Sequence, residues 1–252
     1  MSITTATDLD RFMHAIRTQL PPPDEWTPLA TYPGSLAEAI IDAIWSERVR
    51  YGNIREIVDR YRNFRRWQGA NADFDGAPEL SASFSIGIDA WMQQIGNHQR
   101  AYSRDDAPYK AELVYEASEI AISSRVLTAS DLHDGYFRNT PEFNHFHAAW
   151  LRLPSQHSGL TWERLLLVGG IQTVPLDLWL QEFTSKALGE DVGDQDALRL
   201  IERAAHVIHT TPLRLRNAIW QFQTKHDRSS GHGPHGAHRH EPGIPANEAM
   251  EK

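Results

Sequence analysis

The segment GSLAEAIIDAIWSERV, residues 34–49, does most to limit what this chain can fold into. Its apolar residues Leu36, Ile40, Ala43 and Ile44 return every three or four positions, which puts them on one face of a helix. Ser35 and Glu38 stand three apart, the spacing of a capping box at a helix start. The same period recurs in NIREIVDRYRNFRR through Ile54, Ile57, Val58 and Tyr61, and in YKAELVYEASEIAISSRVL through Leu113, Val114, Ala117 and Ala121. Further helices are predicted over 160–168, 176–188, 196–209 and 212–223, the last with Thr211 as its cap and Pro212 at its first position. Alternating strand-like runs are absent, so the fold class is all-α.

A chain of 252 residues can bury a sizeable core, as one large domain or as two small lobes. No apolar run approaches the roughly 18 residues of a membrane span. The N-terminus MSITTATDLDRFMHAIRTQL lacks the basic start and apolar centre of a secretory signal. There is no cysteine. That excludes disulfides, zinc–thiolate sites, iron–sulfur clusters and thiol nucleophiles, and makes a reducing cytoplasm the expected setting. The formal charge of −8 disfavours long-range attraction of a polyanion but leaves the local potential of a cleft open.

The two ends differ from the helical middle. QLPPPDEW, residues 19–26, reads as a rigid extended connector. From about residue 226 the chain is rich in Gly, His and Pro with little to bury, and is expected to be disordered. Its histidines His232, His235, His238 and His240 could hold a transition metal loosely. They imply no preorganised geometry, and no metal site is assigned.

Three stretches could carry chemistry. WSERVRYGNIREIVDRYRNFRRW, residues 45–67, holds seven arginines against three acids, interleaved with Trp45, Tyr51, Tyr61 and Trp67. Guanidinium forks suit phosphate oxygens and aromatic faces suit bases, although a helix pair with charged outer faces has the same composition. LRLPSQHSGLTWERLLLVGG, residues 151–170, reads as two helices joined by a tight turn ending at Gly159. Free N–H groups and the dipole at the start of the second helix suit a phosphate, while a plain helical hairpin also fits. Asp177 follows Pro175 in the apolar run VPLDLWL, where the dipole alone accounts for an acid in a first helical turn.

The succession of these pieces resembles the helix–hairpin–helix (HhH-GPD) DNA glycosylase superfamily, to which endonuclease III belongs. The similarity covers residues from about 35 to 223. In that family the first helix ends in a stretch that probes the duplex, matched here by Trp45-Ser46-Glu47-Arg48. The hairpin pattern Leu-Pro-Gly-x-Gly is matched by Leu153-Pro154-Ser155-Gln156-His157-Ser158-Gly159, longer and with Ser155 and His157 in place of glycines. The catalytic acid at a helix start is matched by Val174-Pro175-Leu176-Asp177. An actinobacterial branch without an iron–sulfur cluster shares GNHQR (96–100), YKAELV (109–114), SGLTW (158–162) and AIWQFQ (218–223).

What the resemblance implies is a bilobal helical fold with an active-site cleft between lobes. Residues 1–34 are expected to pack on the C-terminal lobe, residues 35–225 to form the glycosylase-like core with its hairpin at about 150–170, and residues 226–252 to form the tail. The implied activity is monofunctional. A damaged or modified base, such as the bulky bases of some phage genomes, is flipped out and its N-glycosidic bond hydrolysed, in repair or in phage defence. Asp177 is the implied catalytic acid. Arg48 is the candidate to fill the hole left in the stack, with Ser158, Gly159, Leu160, Thr161 and Lys110 as further DNA contacts. Trp45, Asn97, Gln99, Trp162 and Trp179 are candidate walls of the base pocket, the tryptophans being equally suited to the core. Bifunctional members carry a lysine beside the hairpin. The nearest position here holds Thr161 or Trp162, so no lyase step is implied. No cofactor is expected beyond a monovalent cation at the hairpin. The expected partner is double-stranded DNA, bound by a cytoplasmic, nucleoid-associated monomer. Two alternatives are a DNA-binding or structural protein that keeps the fold without catalysis, and an interaction module unrelated to nucleic acid.

Overall fold

A computed structural model describes residues 5–26, 28–46, 51–171 and 178–230. Within them twelve α-helices follow one another: α1 (Ala6–Gln19), α2 (Leu36–Ser46), α3 (Tyr51–Trp67), α4 (Ala77–Ser83), α5 (Ile88–Gln94), α6 (Lys110–Ser123), α7 (Ala129–Arg138), α8 (Pro141–Trp150), α9 (Leu160–Val168), α10 (Leu178–Leu188), α11 (Asp194–Val207) and α12 (Pro212–Ser230). Extended pairing among the described residues is limited to an isolated bridge between Arg100 and Tyr109. The protein is all-α, and no helix among the described residues is long and apolar enough to cross a membrane.

The first core is built around α2. All eleven of its residues are buried, the outcome expected for a helix apolar on nearly every side. It packs against α3, α4, α6 and α9. It lies antiparallel to α9: Tyr32, just before α2, donates its N–H to Val168 O at 2.6 Å, while Asp42 farther along receives Arg164 from inside α9. Carboxylates at such depth require cations and donors. Glu38 takes Arg62 through Nε and Nη2 at 2.6 and 2.8 Å. Asp42 takes Arg164 Nε at 2.8 Å and the Tyr32 hydroxyl at 3.1 Å. Asp75, between α3 and α4, takes Arg65 at 2.6 and 3.2 Å and the Tyr61 hydroxyl at 2.8 Å.

The Glu38 pairing changes the helix start expected from the sequence. Ser35 Oγ accepts the Glu38 N–H at 3.2 Å, which is half of a capping box. The Glu38 carboxylate turns to Arg62, and the Ser35 N–H donates to Tyr32 O instead. A buried acid gains more from a guanidinium than from a backbone amide.

The second core joins α1 to α10, α11 and α12 through Phe12, Ile16, Phe183, Leu200, Ile201 and Ile219. At the head of α1 the capping box is complete, because Thr5 Oγ1 accepts the Asp8 N–H and Asp8 accepts the Thr5 N–H. The proline run after α1 is extended only in part. Leu20 and Pro22 have extended torsions, but Pro23–Glu25 close a 3-10 turn. Trp26 then turns back into the core and donates Nε1–H to Pro21 O at 2.7 Å. Leu29 and Tyr32 already belong to the first core. The chain therefore passes between cores twice, once between Trp26 and Leu29 and again between Ile171 and Leu180. Thr211 caps α12 through the Arg214 N–H at 3.2 Å. The helix runs to Ser230, past the tail start expected near 226, because no glycine or proline interrupts it before Gly231. The rest of the expected tail lies outside the described residues.

Candidate functional site

The C-terminal end of α2 gathers four of the residues singled out in the sequence. Trp45 is fully buried, its ring 6.0 Å from that of Trp91. Its indole N–H donates to Asn97 Oδ1 at 3.4 Å, and the same oxygen accepts the Gln99 N–H at 3.0 Å. Gln99 O accepts the Lys110 N–H at 2.8 Å, and Lys110 Nζ returns to Trp45 O at 3.3 Å. Asn97 and Gln99 are half-buried, whereas Lys110 is only 1% exposed. Its ammonium therefore serves the last turn of α2, where the helix dipole favours a cation, and does not face solvent. Glu47 and Arg48, the next residues of the stretch expected to probe a duplex, lie outside the described residues.

The hairpin joins α8 to α9. Ser155 holds φ of 65° and Gly159 φ of 79°, so the chain makes two left-handed bends, the first at a serine where the resembled hairpin pattern has glycine. A side-chain network supports the serine. Trp150 Nε1–H donates to Thr161 Oγ1 at 3.1 Å, and Thr161 Oγ1–H donates to Gln156 Oε1. Gln156 Nε2 in turn donates to Pro154 O at 3.2 Å and Ser155 Oγ at 3.0 Å. The Thr161 side chain is thereby committed inside the protein. Gly159 caps α9 without a side-chain acceptor, and the first-turn amides of Leu160, Thr161 and Trp162 have no acceptor within the helix. Ser158 is exposed, and Gly159 and Leu160 are half-buried. Trp162 is buried among Phe143, Phe146 and Trp150, with His147 stacked on it at 4.7 Å. Burial there pushes the His147 imidazole below its ordinary value.

Three of the seven arginines in residues 45–67 are held by the fold. Arg60 donates to Ile95 O and Gly96 O at 2.7 Å each; Arg62 and Arg65 hold Glu38 and Asp75. Tyr61 is buried, whereas Arg55, Arg66 and Trp67 are exposed. Burial pushes the Glu38 carboxyl up against the opposing pull of Arg62, and Glu38 holds Arg62 more firmly charged.

Between the cores lies a polar seam that the sequence pattern did not flag. Arg164, 7% exposed, joins Asp42 and sits 5.2 Å from the ring of Trp220 on α12. Within the second core, Arg214 on α12 donates to Trp26 O at 2.9 and 3.1 Å. The available signal was Asp42, an acid flanked by apolar residues in the middle of α2. Asp177 and the side chain of Trp179 lie outside the described residues. In sequence, Asp177 comes between Ile171 of the first core and the start of α10, and Trp179 is the second residue of α10. Among the described residues no group of three or more His, Asp or Glu is placed to hold a metal.

Residues 10–224 match the family described as domain of unknown function DUF8548, and the chain belongs to that family. No curated protein and no solved structure matches it.

Proposed function

We propose that this DUF8548 chain is a monofunctional DNA glycosylase. The observation that carries the reading is the second crossing between cores. The segment bearing Asp177 follows directly on α9, the hairpin helix, and leads into α10 of the other core. The N-terminal helix packed among C-terminal helices, and the glycine-capped hairpin, support the same bilobal reading.

Excision breaks the bond between C1′ and the base. Positive charge grows on the sugar, and a carboxylate beside C1′ stabilises it. Water then adds to C1′ and gives up a proton to that carboxylate, while the bonding pair leaves with the base. Asp177 is the proposed carboxylate. The N–H groups opening α9 would grip a neighbouring phosphate, and Arg48 would occupy the gap once the nucleotide has left the stack, an extrusion costing a few kcal/mol.

The test is incubation of the full chain with duplexes bearing damaged or hypermodified bases, then alkaline cleavage at abasic sites. Cleavage that Asp177→Asn abolishes while duplex binding persists is expected. Equal cleavage by that variant refutes the assignment. A second reading, a DNA-binding or structural protein that has lost catalysis, is favoured by the altered hairpin, where Ser155 takes a left-handed bend and Thr161 is bonded internally, and by the net charge of −8. It is supported if salt-dependent duplex binding occurs with no base release from any duplex.

A further inference from the structure

A shallow groove of about 320 Å³ opens between the α4–α5 corner and α6, lined by Ser81, Ala82, Phe84, Ser85, Ile88 and Tyr115. Its floor is aromatic. Phe84 stacks on buried Trp91 at 4.4 Å and meets Tyr115 at 5.2 Å. Tyr115 is 42% exposed and Ile86, at the same corner, 36%.

One side of this groove is uniformly acidic. On α6, Glu112, Tyr115, Glu116 and Glu119 recur at the three- and four-residue spacings that share a helix face. All three glutamates are exposed, and Glu119 is tied to the groove lining by the Ser81 hydroxyl. Asp89 on α5 is exposed as well. Residues 77–95 and 111–124 contain no lysine or arginine. None of Asp89, Glu112, Glu116 and Glu119 forms an ion pair. Like charges one turn apart weaken the helix that carries them, and a cationic partner relieves that repulsion.

We propose that this groove docks a basic polypeptide segment. One aliphatic or aromatic side chain of the partner seats over Phe84 and Tyr115, and its lysines or arginines face Glu112, Glu116, Glu119 and Asp89. The charge of this face repels nucleic acid, so the proposal stands apart from the glycosylase reading.

The test titrates the full chain into a fluorescein-labelled short peptide of lysine and arginine with one central tryptophan, followed by anisotropy at low salt. Saturable binding is expected. Glu116→Lys combined with Glu119→Lys weakens it roughly tenfold or more, as does Tyr115→Ala. The peptide with serine in place of tryptophan binds more weakly than the parent. Both variants change exposed positions, and unchanged thermal melts confirm that they fold; the charge reversal serves alone if Tyr115→Ala does not. Absence of saturable binding, or affinity unchanged in the folded variants, overturns the proposal. Self-association of the wild type that the same variants abolish also overturns it, and assigns the groove to a second copy of the chain.

Discussion

Replacing Arg164 with methionine keeps an unbranched apolar stem and removes the guanidinium. Asp42 is then left fully buried, with the Tyr32 hydroxyl as its remaining partner among the contacts described above. The bond lost is a 2.8 Å contact between groups 7% and 0% exposed. At a charge separation of about 4 Å and an effective dielectric of about 20, the lost attraction is about 4 kcal/mol. That agrees with the roughly 3–5 kcal/mol typical when one partner of a buried pair is deleted. Loss of the cation–π contact with Trp220 adds about 1 kcal/mol. Against a total stability of about 5–15 kcal/mol, the variant should melt on the order of 10 °C lower. Circular dichroism and tryptophan fluorescence follow the transition. The double variant Asp42→Leu with Arg164→Met removes both charges and should regain most of the loss. A single variant that loses less than about 1 kcal/mol, or a double variant as unstable as the sum of its singles, refutes the reasoning.

Glu38→Gln should be milder than Arg164→Met, since Arg62 is 35% exposed and has Asp59 and Asp73 at 3.7 and 4.0 Å. Because the folded-state value of Glu38 is raised, the native state holds its proton more tightly. Its contribution is full below the ordinary carboxylate range and falls as pH rises through the folded value. The stability of wild type relative to Glu38→Gln should therefore decline with rising pH in denaturant titrations. His147 has the opposite sense. Its lowered value makes the stability present above about pH 6.5 fall away as the medium becomes more acidic, and His147→Gln should flatten that slope in thermal melts. Gly159→Ala meets no atom closer than Leu151 Cδ2 at 3.9 Å, so its penalty is conformational, set by φ of 79°. A loss of about 1–2 kcal/mol is expected by urea denaturation.

The helices legible in the sequence were those whose apolar period is long and whose ends are marked. The segments predicted at 160–168 and 212–223 begin where α9 and α12 begin. What escaped was decided by distant partners. Nothing local tells that the Glu38 carboxylate will turn from its own helix end to Arg62, or that Trp26 will fold the proline run back onto α1. The sequence also marks Trp45, Asn97, Gln99 and Lys110 without saying that they meet. A lysine in the first turn of α6 looks like a surface charge until the end of α2 is placed against it. The pair Asp42 and Arg164 is separated by 122 positions in the chain, and only the antiparallel packing of α2 on α9 makes them neighbours.

The arginines of α3 show how composition can misdirect a search for a nucleic-acid surface. Seven arginines in residues 45–67 suggest a phosphate-binding strip. Yet Arg60, Arg62 and Arg65 are fixed on Ile95, Gly96, Glu38 and Asp75. A guanidinium already holding a buried carboxylate cannot turn to a phosphate without stranding that acid, a penalty of several kcal/mol that exceeds the gain from an exposed contact. If the chain grips a duplex as proposed, the grip must come from elsewhere. The groups left for it are the amides opening α9, exposed arginines such as Arg55, Arg66 and Arg152, and Arg48, which lies outside the described residues. Few phosphate-bound cations imply a shallow dependence of duplex affinity on salt. A steep one, undiminished by Arg55→Ala, Arg66→Ala and Arg152→Ala together, would show that these three arginines do not carry the grip.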